Sequence, residues 1–360
     1  PLFFALEQWE ESSTIFFISN LGEADLNYDI VVSYPESDVA PNAVVSNVKH
    51  SDAKMLPQDF SVNPNGTPAD NNSRTDSGAI YVYTRSGATW SQQSYIKASN
   101  ATNDDRFGTV IALQGDTLAV GSKNEDGSDT TITNGPTAPS DDTGPDTGAV
   151  YVYKRTGTDW AQEAYIKAAN AQSGDDFPNE MSLDYDTLVV SAHLEDSDQT
   201  TITNGTTAET NNLRATTGAV YVYRRTGTSW AQEAYIKAGN STVDDQFGKG
   251  LGLDGDTLVV GAHREDSTQT TITNGTGSET NNTRSGSGAV YVYRRTGTTW
   301  VQEAYIKASN ADSGDNFGAT VSLSGDRLAV SADLEKSSQI TITNGATAST
   351  DNNLNNSGAV

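Results

Sequence analysis

Carboxylates recur in this chain at fixed intervals. Asp105, Asp175, Asp245 and Asp315 each stand two residues before a Phe, and Glu125, Glu195, Glu265 and Glu335 follow each of them by 20 residues. Asp126, Asp196 and Asp266 come next, and Lys336 breaks that series. Two chemistries suit the pattern. Calcium takes about six to eight oxygens from carboxylates and carbonyls, and acidic loops supply both. Alternatively, the Asp side chains cap turns through backbone N–H groups and the remaining acids keep the surface soluble.

Other reactive residue types are sparse or evenly spread. The histidines are His50, His193 and His263, and the last two fill equivalent places where other copies carry Lys123 and Asp333. No G-x-S-x-G elbow, H-E-x-x-H pair or phosphate-binding loop occurs. Near-identical repeats distribute their groups evenly, whereas an active site needs unlike groups in one place. The expectation is therefore no enzyme. Trp90, Trp160, Trp230 and Trp300 could stack on sugars, but their places on a packed strand face fit a core role. Asn-x-Ser/Thr sequons at Asn65, Asn204, Asn274 and Asn281 allow glycosylation in loops.

The elements that must position these groups repeat every 70 residues, marked by Tyr81, Tyr151, Tyr221 and Tyr291. A constant period of that size means one supersecondary unit copied along the chain. In each unit GAVYVY reads as a strand, the Ser/Thr-Gly pair at Gly87, Gly157, Gly227 and Gly297 as a hairpin turn, and TWSQQSYIKA or its copy as the return strand. Alternation places Trp160, Gln162, Ala164 and Ile166 on one face and Glu163, Tyr165 and Lys167 on a wetter one. The run FGTVIALQGDTLAVGS gives two more strands about a tight turn at Gln114–Asp116. A loop of about two dozen residues containing TITNG then leads to the next unit, a length that implies function or ordering contacts. Four strands per unit and no helical period predict an all-β fold, a β-propeller of four-stranded blades.

Residues 61–360 form the array, with units 81–150, 151–220, 221–290 and 291–360. Residues 1–60 are a diverged N-terminal β segment, read either as a degenerate blade or as an immunoglobulin-like module.

The formal charge of -25, from 22 basic and 47 acidic side chains, argues against nucleic acid or anionic membrane as the main partner. There is no Cys, so disulfides and thiolate metal sites are excluded. No run approaches the ~18 apolar residues of a membrane-spanning helix, so membrane insertion is not expected.

The motif D-x-F-G-x-x-V-x-L-x-G-D-x-L-x-V-G-A resembles the FG-GAP repeat of integrin α chains and bacterial surface proteins. Phe107-Gly108, Phe247-Gly248 and Phe317-Gly318 keep the FG pair, while the second copy has Phe177-Pro178. The family's calcium loop between the first two strands is missing, since that connection is only QGD, DYD, DGD or SGD. The resemblance implies a non-enzymatic protein of the cell surface or extracellular space, acting in adhesion or assembly on surface protein, glycan or other copies of itself. Calcium is the candidate cofactor, at the Asp and Glu series above. Two alternatives stay open: a carbohydrate-binding propeller, and a filament subunit built by strand donation. In the second, Pro1, Leu2, Phe3, Phe4, Ile15, Phe16 and Phe17 would complete the blade begun by residues 315–360.

Overall fold

The computed structural model describes residues 16–19, 73–354 and 357–360. Among them no helix occurs, and every regular element is a strand. The GAVYVY segments form strands because β-branched and aromatic residues alternate on a pleated surface. The tight turns that join the strands need left-handed backbone. Gly115, at φ +55°, supplies it in the first, and Tyr185 holds the same place at φ +49°.

Three complete sheets share one plan. In the first, Phe107–Gln114 pairs with Thr117–Ser122, which pairs with Ala149–Thr156, which pairs with Asp159–Ile166, all antiparallel. The second uses Met181–Asp184, Thr187–Ala192, Ala219–Thr226 and Ser229–Ile236. The third uses Phe247–Asp254, Thr257–Ala262, Ala289–Thr296 and Thr299–Ile306. The long loop adds a fifth, very short strand to each outer edge: Thr133–Asn134, Ile202–Asn204 and Thr273–Asn274. Each sheet therefore takes its inner hairpin from one sequence unit and its outer hairpin from the next. A last hairpin, Phe317–Ser324 with Arg327–Ala332, repeats the inner half of the plan.

Phe16–Ser19 pairs with Ile80–Ser86, and Ser19 faces Ile80. In the second sheet Ser191 faces Val220, the equivalent of Ile80. FFIS thus occupies the register that Leu188–Ser191 holds in the second sheet. Within this chain Phe16 and Phe17 therefore belong to a strand beside Ile80–Ser86. Pro1, Leu2, Phe3, Phe4 and Ile15 lie outside the described residues.

The core lies between sheets. Val150, Val152, Ala164 and Ile166 of one sheet pack against Tyr221, Tyr223, Trp230 and Tyr235 of the next. Val220, Val222, Ala234 and Ile236 meet Tyr291, Tyr293, Trp300 and Tyr305 in the same way. Each sheet thus shows an aliphatic side forward and an aromatic side backward. This corrects the simple alternation expected for the outer strand. The register slips between Val152 and Tyr153, opposite Gln162–Ala164. One extra residue there sends Trp160 and Tyr165 to the same side and Ala164 and Ile166 to the other. The side expected to be wetter is dry, with Tyr165 fully buried and Lys167 1% exposed.

Gly148 and its copies close the unit. At Gly218, φ is +80° and an added Cβ would stand 2.1 Å from the Phe247 carbonyl oxygen. Only glycine tolerates both the left-handed backbone and that approach.

Candidate functional site

The recurring carboxylates sit where the inner hairpin meets the long loop. Main-chain contacts bring the two series together, since Asn124 N–H and Ser122 Oγ both donate to the Asp105 carbonyl oxygen. Asp105 also takes hydrogen bonds from Thr102 N–H (2.5 Å) and Thr102 Oγ1 (2.7 Å), closing a turn. Asp245 does the same with Thr242, and Asp315 accepts from Asp312 N–H. Burial pushes these acids up: Asp105 to about 6, Asp245 to about 7 and Asp175 to about 8. The neighbouring Glu125, Glu265 and Glu195 charges push the same way, while the Thr bonds at Asp105 and Asp245 oppose it.

Glu125, Glu195 and Glu265 each hold a buried lysine. Lys167 Nζ lies 2.9 Å from Glu125, Lys237 Nζ 2.5 Å from Glu195 and Lys307 Nζ 2.7 Å from Glu265. Each lysine also donates to a hydroxyl, of Thr147, Thr217 or Ser287. Desolvation pulls all three lysines below the usual ammonium range, against the pull of the Glu charge. Glu335 accepts from Asn310 Nδ2 (2.9 Å) and from Ser337. Asp126, Asp196 and Asp266 accept from the backbone N–H groups of Asp146, Thr216 and Gly286, fixing the end of the long loop. Every member of the predicted metal set thus has a side-chain hydrogen bond to the protein, Asp175 through the Gln172 backbone. Among the described residues no three His, Cys, Asp or Glu side chains form a metal-ligating group.

The tryptophans join sheets. Trp160, Trp230 and Trp300 are 1–3% exposed, so their faces are closed to sugars. Trp230 Nε1 donates to Glu163 of the preceding sheet at 3.0 Å, and Trp300 Nε1 to Glu233 at 2.9 Å. Arg225 and Arg295 reach the same two acids and lie over the Trp rings at 5.4 and 5.3 Å. The TITNG loops complete the joint. Asn134 Oδ1 accepts from Trp230 N–H at 2.7 Å and Nδ2 donates to the Trp230 carbonyl at 3.1 Å. Asn204 does the same at Trp300, so this sequon asparagine is engaged in a contact between sheets. Sequence reasoning expected contacts to order these loops. It missed the Asn–Trp pairing, which links residues 96 apart and has no local signal.

His193 and His263 offer no acid–base pair. Burial drives their imidazoles down, to about 3 and about 4. Both are therefore neutral near pH 7. His193 Nδ1 lies 3.1 Å from Asp176 but off the line of a hydrogen bond, and Lys123 also pairs with Asp176. His50 lies outside the described residues.

The profile of the FG-GAP repeat matches residues 90–136, 160–223, 230–293 and 300–360, together well over half of the chain. A search of curated proteins finds no match.

Proposed function

The chain belongs to the FG-GAP repeat family, and from that premise we propose that it is a non-enzymatic protein of the cell surface or extracellular space, acting in adhesion. One observation carries the reading. The polar groups that recur in register, which are the best candidates for chemistry, are engaged in joints between sheets. They are buried and paired, whereas catalysis needs unlike groups exposed to substrate in one cleft. What varies from copy to copy, and faces water, is the Thr-, Asn- and Ser-rich stretch of each long loop. Loops on a rigid scaffold are where recognition concentrates.

The strong negative charge suits a protein that stays soluble and does not adhere to nucleic acid. Partners in this reading are surface proteins or glycans met by the loops. The test is immunogold labelling of intact producing cells, together with binding of the purified protein to arrays of glycans and surface proteins. Label on the outer face and saturable binding support the reading. Label confined to the cell interior overturns it.

A further inference from the structure

Three buried clusters repeat the same four groups. In the second, the Glu195 carboxylate bridges two nitrogens: Lys237 Nζ donates to Oε2 at 2.5 Å, and Asn170 Nδ2 donates to Oε1 at 2.9 Å. The carbonyl oxygen of the same Asn170 side chain accepts from the Tyr221 hydroxyl at 2.5 Å. The first cluster has Lys167, Glu125, Asn100 and Tyr151 at 2.9, 3.0 and 2.5 Å. The third has Lys307, Glu265, Asn240 and Tyr291 at 2.7, 2.9 and 2.6 Å. The lysines and glutamates are all 3% exposed or less.

An ion pair requires only the amine and the carboxylate. Here the carboxylate also holds the leaving nitrogen of a carboxamide, and a phenol holds that carboxamide's oxygen. A nucleophile, a proton carrier touching both nucleophile and leaving group, and a donor on the developing oxyanion are the parts of acyl transfer. We propose that Lys167 with Asn100, Lys237 with Asn170, and Lys307 with Asn240 are sites of intramolecular transamidation, each forming a side-chain amide bond between neighbouring sheets.

The step balances without a cofactor. Glu195 takes a proton from the Lys237 ammonium, and Nζ adds to Asn170 Cγ. The Tyr221 hydroxyl donates to the oxygen that gains charge. The bond from Cγ to Nδ2 breaks as Glu195 passes its proton to Nδ2, and the second proton that Nζ sheds goes to the departing ammonia. One ammonium and one carboxamide become one secondary amide and one ammonium ion. Burial favours the neutral amine that the attack needs, because it penalises the Lys237 charge.

The topology gives the bond a purpose. Lys237 follows the outer strand Ser229–Ile236, and Asn170 follows Asp159–Ile166 of the preceding sheet. Each bond would tie adjacent outer strands in a chain that has no cysteine. Lys97 is an internal control. It donates to Ser77 Oγ and to the Gly78 carbonyl oxygen, with neither a carboxylate nor a carboxamide in contact among the described residues.

The experiment is the intact mass of the denatured full chain, followed by a protease map. The expected mass falls below that of the sequence by three ammonia molecules. The map should contain branched peptides joining Lys167 to Asn100, Lys237 to Asn170 and Lys307 to Asn240, with Lys97 in a linear peptide. Glu195→Gln should abolish the second branch alone and restore the mass of one ammonia. Should that variant fail to fold, the wild-type map decides alone. A mass equal to that of the sequence overturns the proposal, as does loss of water in place of ammonia, which would place the bond on the glutamate.

Discussion

Trp230 gives its indole N–H to Glu163 across the gap between two sheets, 3.0 Å away and 67 residues back in the chain. Arg225 approaches the same Oε2 at 3.1 Å while its guanidinium lies over the Trp230 ring. Trp300, Glu233 and Arg295 repeat the arrangement one unit later. At the preceding joint Gln93 stands in place of the acid, accepting from Trp160 Nε1 at 3.0 Å.

That difference predicts unequal costs. Glu163→Ala strands a buried indole N–H and removes one acid from Arg225, so it should destabilise by about 3 kcal/mol. Gln93→Ala strands only the indole N–H of Trp160 and should cost about 1 kcal/mol. Urea denaturation of both variants checks the order. Equal losses would mean that the acid adds nothing to the joint.

The parts of this arrangement that were legible in the sequence are the local ones. The 70-residue period, the hairpin glycines and the strand pairs follow from patterns a few residues long. The meeting of Asp105 with the segment before Glu125 followed from strand order, since the two connections leave one end of the sheet. The extra residue opposite Val152 and Tyr153 was not legible. Nothing in AQEAYIK announces a bulge, and one added residue inverts every side chain after it. The partners of Glu125 lie beyond the ends of other strands, at Lys167 and Asn100, so its carboxylate reads in sequence as free for calcium. A burial that depends on the neighbouring sheet leaves no mark inside the segment it covers.

A single glycine marks a defect in the first cluster. Ser197 places a hydroxyl 2.7 Å from that of Tyr235 and Ser267 pairs with Tyr305 in the same way, but Gly127 holds that place in the first unit. The Tyr165 hydroxyl there is buried against the Glu125 carboxylate and lacks that second partner. Gly127→Ser should supply one and also restrict the unfolded chain, raising stability by about 1 kcal/mol. A thermal melt checks it, and a lower midpoint would show that the tight fit around Gly127 prevails.

Stability should fall as pH rises from about 4 to about 8. Asp105, Asp245 and Asp175 are pushed up by burial to about 6, 7 and 8. Between the unfolded value near 3.9 and those values the native state holds protons that the unfolded chain has released, so each unit of rising pH favours unfolding. Below about 4 both states are protonated at these sites and their contribution is fully present. Melting at pH 5 and pH 8 in the same salt should give the higher midpoint at pH 5. The reverse order would mean that these aspartates are ionised in the native state.

Calcium should change the melting midpoint little. A stabilising ion needs oxygens that the native state leaves open to it. Glu125, Glu195 and Glu265 already hold lysines, and Asp126, Asp196 and Asp266 hold backbone N–H groups. Melts in calcium and in chelator should coincide. A midpoint several degrees higher in calcium would assign these loops an ion.

The central claim is that this chain recognises a surface through its loops and performs no chemistry there. The most direct measurement immobilises the purified protein, finds a binding partner on an array of surface glycans and proteins, and repeats the binding with Thr137, Ser140, Thr206 and Leu213, exposed side chains of two long loops, replaced by Ala. The account predicts saturable binding that the altered loops lose while the fold melts as before, and a partner recovered unchanged in mass after prolonged contact. Binding that survives the loop changes, or a partner released as a cleaved or altered product, would contradict it.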